Sequence, residues 1–160
     1  MDRETIWQAL REVHDPEIPT LSILDLGIVA GVAVEEGRVA VDLMPTFASC
    51  PALHLIERLV EERLSALPGV EAVSVRRVYE PLWTVERLSE EARAKLAAFG
   101  VALEGEGLRC PFCGAGEVER LSPFGPTPCR SVYYCRSCHQ PFEAMKAIRG
   151  RGIPGAAVSP

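Results

Sequence analysis

The chemistry available to this chain sits on six cysteines, and spacing sorts them into groups. Cys110-Pro-Phe-Cys113 and Cys135-Arg-Ser-Cys138 are two C-x-x-C pairs separated by 21 residues. Each pair on a tight turn presents two thiolates about a tetrahedral edge apart, and two such turns close a four-sulfur site. A closed four-thiolate site is structural, so zinc is expected on Cys110, Cys113, Cys135 and Cys138, with a single iron or a cluster as the alternative. Cys129, in Phe124-Gly-Pro-Thr-Pro-Cys129, is surplus to that set. It is either an idle thiol, or a ligand exchanged for one of the four, or a second reactive or client-metal ligand on a proline-stiffened loop.

Cys50 stands alone in the first hundred residues, in Pro45-Thr-Phe-Ala-Ser-Cys-Pro-Ala-Leu-His54. An apolar strand ends there and an amphipathic helix begins, with Pro51 at the first-turn position where proline is tolerated. A thiol at a helix N-terminus lies in the positive end of the dipole, which favours the thiolate. Thr46 and Ser49 add hydroxyl donors, and His54 follows at i+4, as a base or merely packed at the apolar edge of the helix. The competing reading is a buried structural cysteine.

These groups need a scaffold, and 160 residues allow one ordinary domain plus a small one. Composition is that of a globular protein, 48% hydrophobic and 24% charged. No apolar run reaches the roughly 18–20 residues of a membrane span. The opening Met1-Asp-Arg-Glu4 lacks a signal-peptide layout. The expected location is the cytoplasm, without membrane attachment, and in a reducing compartment clustered cysteines bind metal rather than form disulfides. Residues 1–108 hold 10 Lys/Arg against 19 Asp/Glu, a net −9, whereas 109–160 hold 7 against 3, a net +4. An acidic body is a poor nucleic-acid binder, because phosphate contacts need clustered Lys/Arg.

The fold class expected is α+β. Ile6, Ala9, Leu10 and Val13 share one face of a helix over about 2–14, which Pro16 stops. Asp15-Pro-Glu-Ile-Pro19 is then a rigid acidic turn. Strands are expected over 27–34 and 38–44, paired as an antiparallel hairpin around Glu35-Glu-Gly37, and a third over 70–78. A helix over about 51–66 carries the stripe Leu53, Ile56, Leu59, Val60, Leu64, and another runs from a Ser89 cap to Phe99. Three strands with helices on one face make a small two-layer sandwich. The expected division is 1–100 for this domain, 101–108 for a linker, 109–148 for a four-cysteine zinc ribbon and 149–160 for a disordered tail. A ribbon of that size builds little core by itself, so metal must supply much of its folding free energy.

In order along the chain stand Asp15-Pro-Glu17, Asp25-Leu-Gly27, T-x-x-x-C-P over Thr46 to Pro51, Leu67-Pro-Gly-Val70, Pro81-Leu-Trp83 and Ser89-Glu-Glu-Ala92. That pattern resembles the small α+β domain of the SufT/PaaD superfamily of iron–sulfur assembly factors. The tail, C-P-x-C…F-G-x-T-P-C…Y-x-C-x-x-C…P-F-E, is similar to the PaaD family. The resemblance implies an accessory maturation factor of the phenylacetyl-CoA ring 1,2-epoxidase system, assembling or delivering an iron–sulfur cluster or iron, with the iron–sulfur reductase component of that system as partner. It implies that Cys50 is the transient iron or cluster ligand. Asp15 and Glu17 become hard-oxygen neighbours, and Thr46 and Ser49 donors to thiolate or sulfide. The alternative is an epoxidase subunit acting as enzyme or scaffold through a reactive thiol. A homodimer follows from ligand counting, since one cysteine per chain cannot hold a cluster that wants four ligands.

Overall fold

The computed structural model describes residues 1–47, 50–105 and 107–146. Helix α1 (Arg3–Arg11) starts at Asp2, whose carboxylate accepts the Thr5 amide at 2.8 Å and the Thr5 hydroxyl at 2.6 Å. It buries Ile6, Ala9 and Leu10 and ends before His14, which bridges to Ser22. Strands β1 (Val29–Glu35) and β2 (Arg38–Leu43) are antiparallel. Their two-residue loop has positive φ at Glu36 and Gly37 (45° and 78°). Positive φ at both loop positions gives a turn whose twist matches that of the flanking strands.

Helix α2 (Leu53–Ser65) carries the chain from β2 to β3 (Ala72–Arg77), which runs parallel to β2, so the sheet order is β1-β2-β3. Alternation on β2 turns Val39, Val41 and Leu43 inward, against Ile56, Val60 and Leu64 of α2 and the buried face of α1. Ala33, Ala40 and Ser74, on the other face, are exposed. This is the expected two-layer α+β sandwich. Trp83, 1% exposed, donates its indole N–H to the Leu26 carbonyl at 2.8 Å and pins the turn that follows Asp25. Gly27 in that turn has φ +66°, and a Cβ there would lie 2.4 Å from the Arg87 carbonyl oxygen. Only glycine fits.

Helix α3 (Glu90–Ala98) is capped by Ser89, whose hydroxyl accepts the Ala92 amide at 3.0 Å. The chain then forms β4 (Val101–Leu103), which corrects the expectation of a linker over 101–108: β4 pairs parallel with β7 (Pro141–Met145). With β5 (Val118–Ser122) and β6 (Arg130–Cys135) it makes a second sheet of order β4-β7-β6-β5. Val101 and Met145 belong to the main core, which also takes Ala92 and Leu96 from α3. The second sheet's own buried cluster is Cys110, Cys135 and Phe142. Tyr133 stacks on Phe142 with ring centroids 5.7 Å apart. A core that small, built largely from would-be ligands, needs a cross-link. The expected tail over 149–160 lies outside the described residues. No helix among them is long and apolar enough to cross a membrane.

Candidate metal centre

Two clusters of ligand atoms form among the described residues, each with its atoms within 4.8 Å of one another. The first is Cys110, Cys113, Cys135 and Cys138. Its turns follow from local backbone bonds: Gly114 N–H donates to the Cys110 carbonyl and His139 N–H to that of Cys135, both at 2.9 Å. Each turn closes on a left-handed residue, Gly114 (φ 78°) and His139 (φ 62°). The sulfurs of Cys110 and Cys138 lie 3.6 Å apart, and those of Cys113 and Cys135 3.5 Å. Metal–sulfur bonds of about 2.3 Å at a tetrahedral angle put thiolates on one ion about 3.8 Å apart, so the donor set fits a single four-coordinate ion. The backbone amides of Cys138 and Ser137 aim at the Cys135 sulfur and hold its pKa down to about 7.

The second cluster is Glu17, Cys50 and Cys129. Glu17 comes from the turn after α1, Cys50 from the loop before α2, and Cys129 from the residue preceding β6. Asp15 shapes the first of these turns, its carboxylate accepting the amides of Glu17 at 2.7 Å and Ile18 at 3.1 Å. Cys129 is held by the Lys146 amide, which donates to its carbonyl at 2.9 Å. The Lys146 ammonium in turn donates to the Pro128 carbonyl at 2.8 Å and lies 5.5 Å from the Phe47 ring centroid and 4.2 Å from that of Phe124. This contact fastens the Cys129 loop to the Cys50 loop. Arg130, buried beside Cys129, pairs with Glu143 at 2.7 Å and with Glu17 at 3.6 Å.

A cavity of about 30 Å³ opens at this cluster, lined among others by Asp15, Glu17, Thr46, Cys50, Cys129 and Arg130. The thiols share a proton unequally. Cys129 is drawn down to about 6, first by the hydrogen bond from Cys50, with the Thr127 hydroxyl 3.0 Å from its sulfur. Cys50 is pushed up, first by that same bond and then by burial. Burial also raises the Glu17 pKa, against the pull of Arg130.

These positions amend the expectations for Cys50. Helix α2 begins at Leu53 with Ala52 as its cap, so Pro51 precedes the first turn, yet the Ala52 amide still donates to the Cys50 sulfur and pulls its pKa down, outweighed by the Cys129 bond and burial. The hydrogen bond between the two thiols lowers the Cys129 pKa and raises that of Cys50, which favours the thiolate on Cys129. His54 does not face Cys50: its ring meets the Arg77 guanidinium at 3.0 Å and the Glu57 carboxylate at 3.6 Å, and its side chain is 80% exposed. Ser49 lies outside the described residues. Arg130 joins the site with no sequence signal but adjacency to Cys129, and Thr127, the threonine of F-G-x-T-P-C, joins it although the motif gave it no role.

Two family models match the chain: "Iron-sulfur cluster assembly protein" over residues 3–75 and "PaaD zinc beta ribbon domain" over residues 97–146. A protein of Escherichia coli (strain K12), provisionally named as one of the subunits of 1,2-phenylacetyl-CoA epoxidase, is 34% identical over 154 residues, covering 89% of this chain and 92% of that protein. A Fe-S protein maturation auxiliary factor of Porphyromonas gingivalis is 37% identical over 94 residues, covering 58% of this chain and 89% of its own. Among solved structures, a domain of unknown function (DUF59) from Bacillus anthracis superposes with TM-score 0.54 at 32% identity, covering 58% of this chain and 89% of that one. A cysteine-paired second sheet, an α+β domain of assembly-factor type and similarity along nearly the whole chain converge on one assignment: the chain belongs to the PaaD family, an iron–sulfur cluster assembly domain followed by a PaaD zinc ribbon.

Proposed function

We propose that this chain is an accessory maturation factor of the phenylacetyl-CoA epoxidase system, assembling or delivering iron or an iron–sulfur cluster through Cys50. The names of its relatives support both halves of that reading, epoxidase and Fe–S maturation. The observation that carries it is the meeting of Cys50, Cys129 and Glu17 at one small cavity. A cargo site must release what it holds. Two thiolates and one carboxylate with an open position release an ion more readily than a closed four-sulfur cage. The client in this reading is the iron–sulfur reductase component of the epoxidase, and the ribbon cysteines hold a structural zinc that cross-links the second sheet. The zinc does no chemistry on cargo.

Complementation tests the reading. In a strain lacking this gene, Cys50→Ala should leave growth on phenylacetate and epoxidase activity at the deletion level, with the protein present at normal abundance. Full restoration by Cys50→Ala would sink the proposal. An epoxidase component using Cys50 as nucleophile with His54 as base has less support, because His54 is engaged by Arg77 and Glu57.

A further inference from the structure

We propose that Glu17, Cys50 and Cys129 bind one divalent iron ion as cargo, rather than a preformed cluster, and that the ribbon's contribution to this site is the ligand Cys129. The inference rests on the maturation reading above and narrows what is carried. Spacing gives the first argument. Both sulfurs and a Glu17 oxygen lie within 4.8 Å of one another, the separation expected of ligands on the same ion, about 3.8 Å for two thiolates. Thiolates on different irons of a cluster stand farther apart than this, so both sulfurs serve one iron, and among the described residues no further cysteine joins this group to hold a second. The ribbon cluster meets the same single-ion criterion at 3.5 and 3.6 Å.

Room gives the second argument. The cavity is about 30 Å³, against the roughly 10–15 Å³ that one water needs on the same measure, so an ion with one or two small ligands enters it without rearrangement. Charge gives the third. Two thiolates and a carboxylate carry three negative charges and a divalent ion leaves one, which Arg130, shared between Glu17 at 3.6 Å and Glu143 at 2.7 Å, offsets in part. A partly buried site tolerates a residual charge that small beside a cation. The ligands also come from three separate loops on both sheets' domains, so the site is complete only while the ribbon is folded against α1 and the Cys50 loop.

The test is anaerobic addition of ferrous iron, with and without sulfide, to full-length protein whose ribbon is already zinc-loaded. X-ray absorption and Mössbauer spectra read the iron, alongside labile-sulfide analysis. Expected are one high-spin ferrous ion per chain, two sulfur and at least one oxygen neighbour, no iron–iron distance and no retained sulfide. Cys50→Ser and Cys129→Ser should each lose a sulfur neighbour and stoichiometric binding, while retained ribbon zinc reports an intact fold. Glu17→Gln should weaken binding with both sulfurs kept. A sulfide-containing cluster with an iron–iron distance overturns the single-ion inference and leaves the maturation reading standing. Unchanged binding in Cys129→Ser overturns the ribbon's part in it, and no iron uptake by the wild type overturns the site altogether. Failed discrimination between wild type and Cys50→Ala in the complementation assay would instead refute the maturation reading without touching these spectra.

Discussion

Arg130 is the group on which the two halves of the site lean most, and its removal has a calculable effect. Its guanidinium, 10% exposed, reaches Glu143 at 2.7 Å and Glu17 at 3.6 Å, carboxylates 28% and 24% exposed. Breaking a fully buried pair costs about 3–5 kcal/mol because a charge is left stranded. Fully exposed pairs contribute about 0.2–1 kcal/mol. With the cation buried and the anions about a quarter exposed, Arg130→Gln should cost about 2–3 kcal/mol at pH 7.5, between those limits. A double-mutant cycle apportions it. Coupling of Arg130→Gln to Glu143→Gln should exceed coupling to Glu17→Gln, since the first pair is hydrogen-bonded and the second is longer. Urea denaturation of the zinc-loaded proteins, followed by Trp fluorescence, supplies the free energies. A loss below about 0.5 kcal/mol would place this network in the class of inconsequential surface pairs. Equal couplings would mean that hydrogen-bond geometry is not what decides here.

Four other outcomes follow from the same structure. Gly27→Ala must both adopt φ +66° and move its Cβ off the Arg87 carbonyl, so a loss of about 2 kcal/mol or more is expected in thermal melts, and an unchanged Tm would contradict the close approach. In protein with the four ribbon cysteines metal-loaded and no iron added, the thiolate absorbance that Cys129→Ala removes should titrate with a midpoint of about 6. Replacing Cys50 by alanine takes away the main donor, so that midpoint should move upward, and no shift would disprove the shared proton. Glu17 has a raised pKa from burial. A raised acid contributes stability below its unfolded pKa of about 4.5 that is lost as pH rises through the folded value. At pH 7 Glu17→Gln should therefore not destabilise the fold even as it weakens iron binding, and a lower urea midpoint would refute this.

Much of the architecture was legible because it obeys short-range rules. The stripe Leu53, Ile56, Val60, Leu64 has helical period, Val39, Val41, Leu43 alternate, and two C-x-x-C pairs announce the ribbon. What escaped depends on contacts distant in sequence. Strand β4 is three residues following Gly100, with no pattern of its own, and exists because β7 offers it an edge. The local pattern starts α2 two residues early because Pro51 fits a loop as readily as a first turn. Nothing local reveals that Cys129 will lie beside Cys50, and it is their hydrogen bond, not where α2 begins, that raises the Cys50 pKa and lowers that of Cys129. Asp15 and Glu17 look equivalent as carboxylates. The fold divides their roles, one capping the turn that aims the other.

The most direct measurement of the central claim is transfer itself. Full-length protein loaded with isotopically labelled ferrous iron would be mixed anaerobically with cluster-free epoxidase reductase, a sulfide source and a one-electron acceptor to take the electrons that cluster formation releases from ferrous iron, the two proteins separated, and the label followed by Mössbauer spectroscopy. The account predicts labelled cluster in the reductase, formed faster than from free iron and at the free-iron rate with Cys50→Ala. Label that stays on this chain, or a wild-type rate no faster than that of free iron, would contradict it.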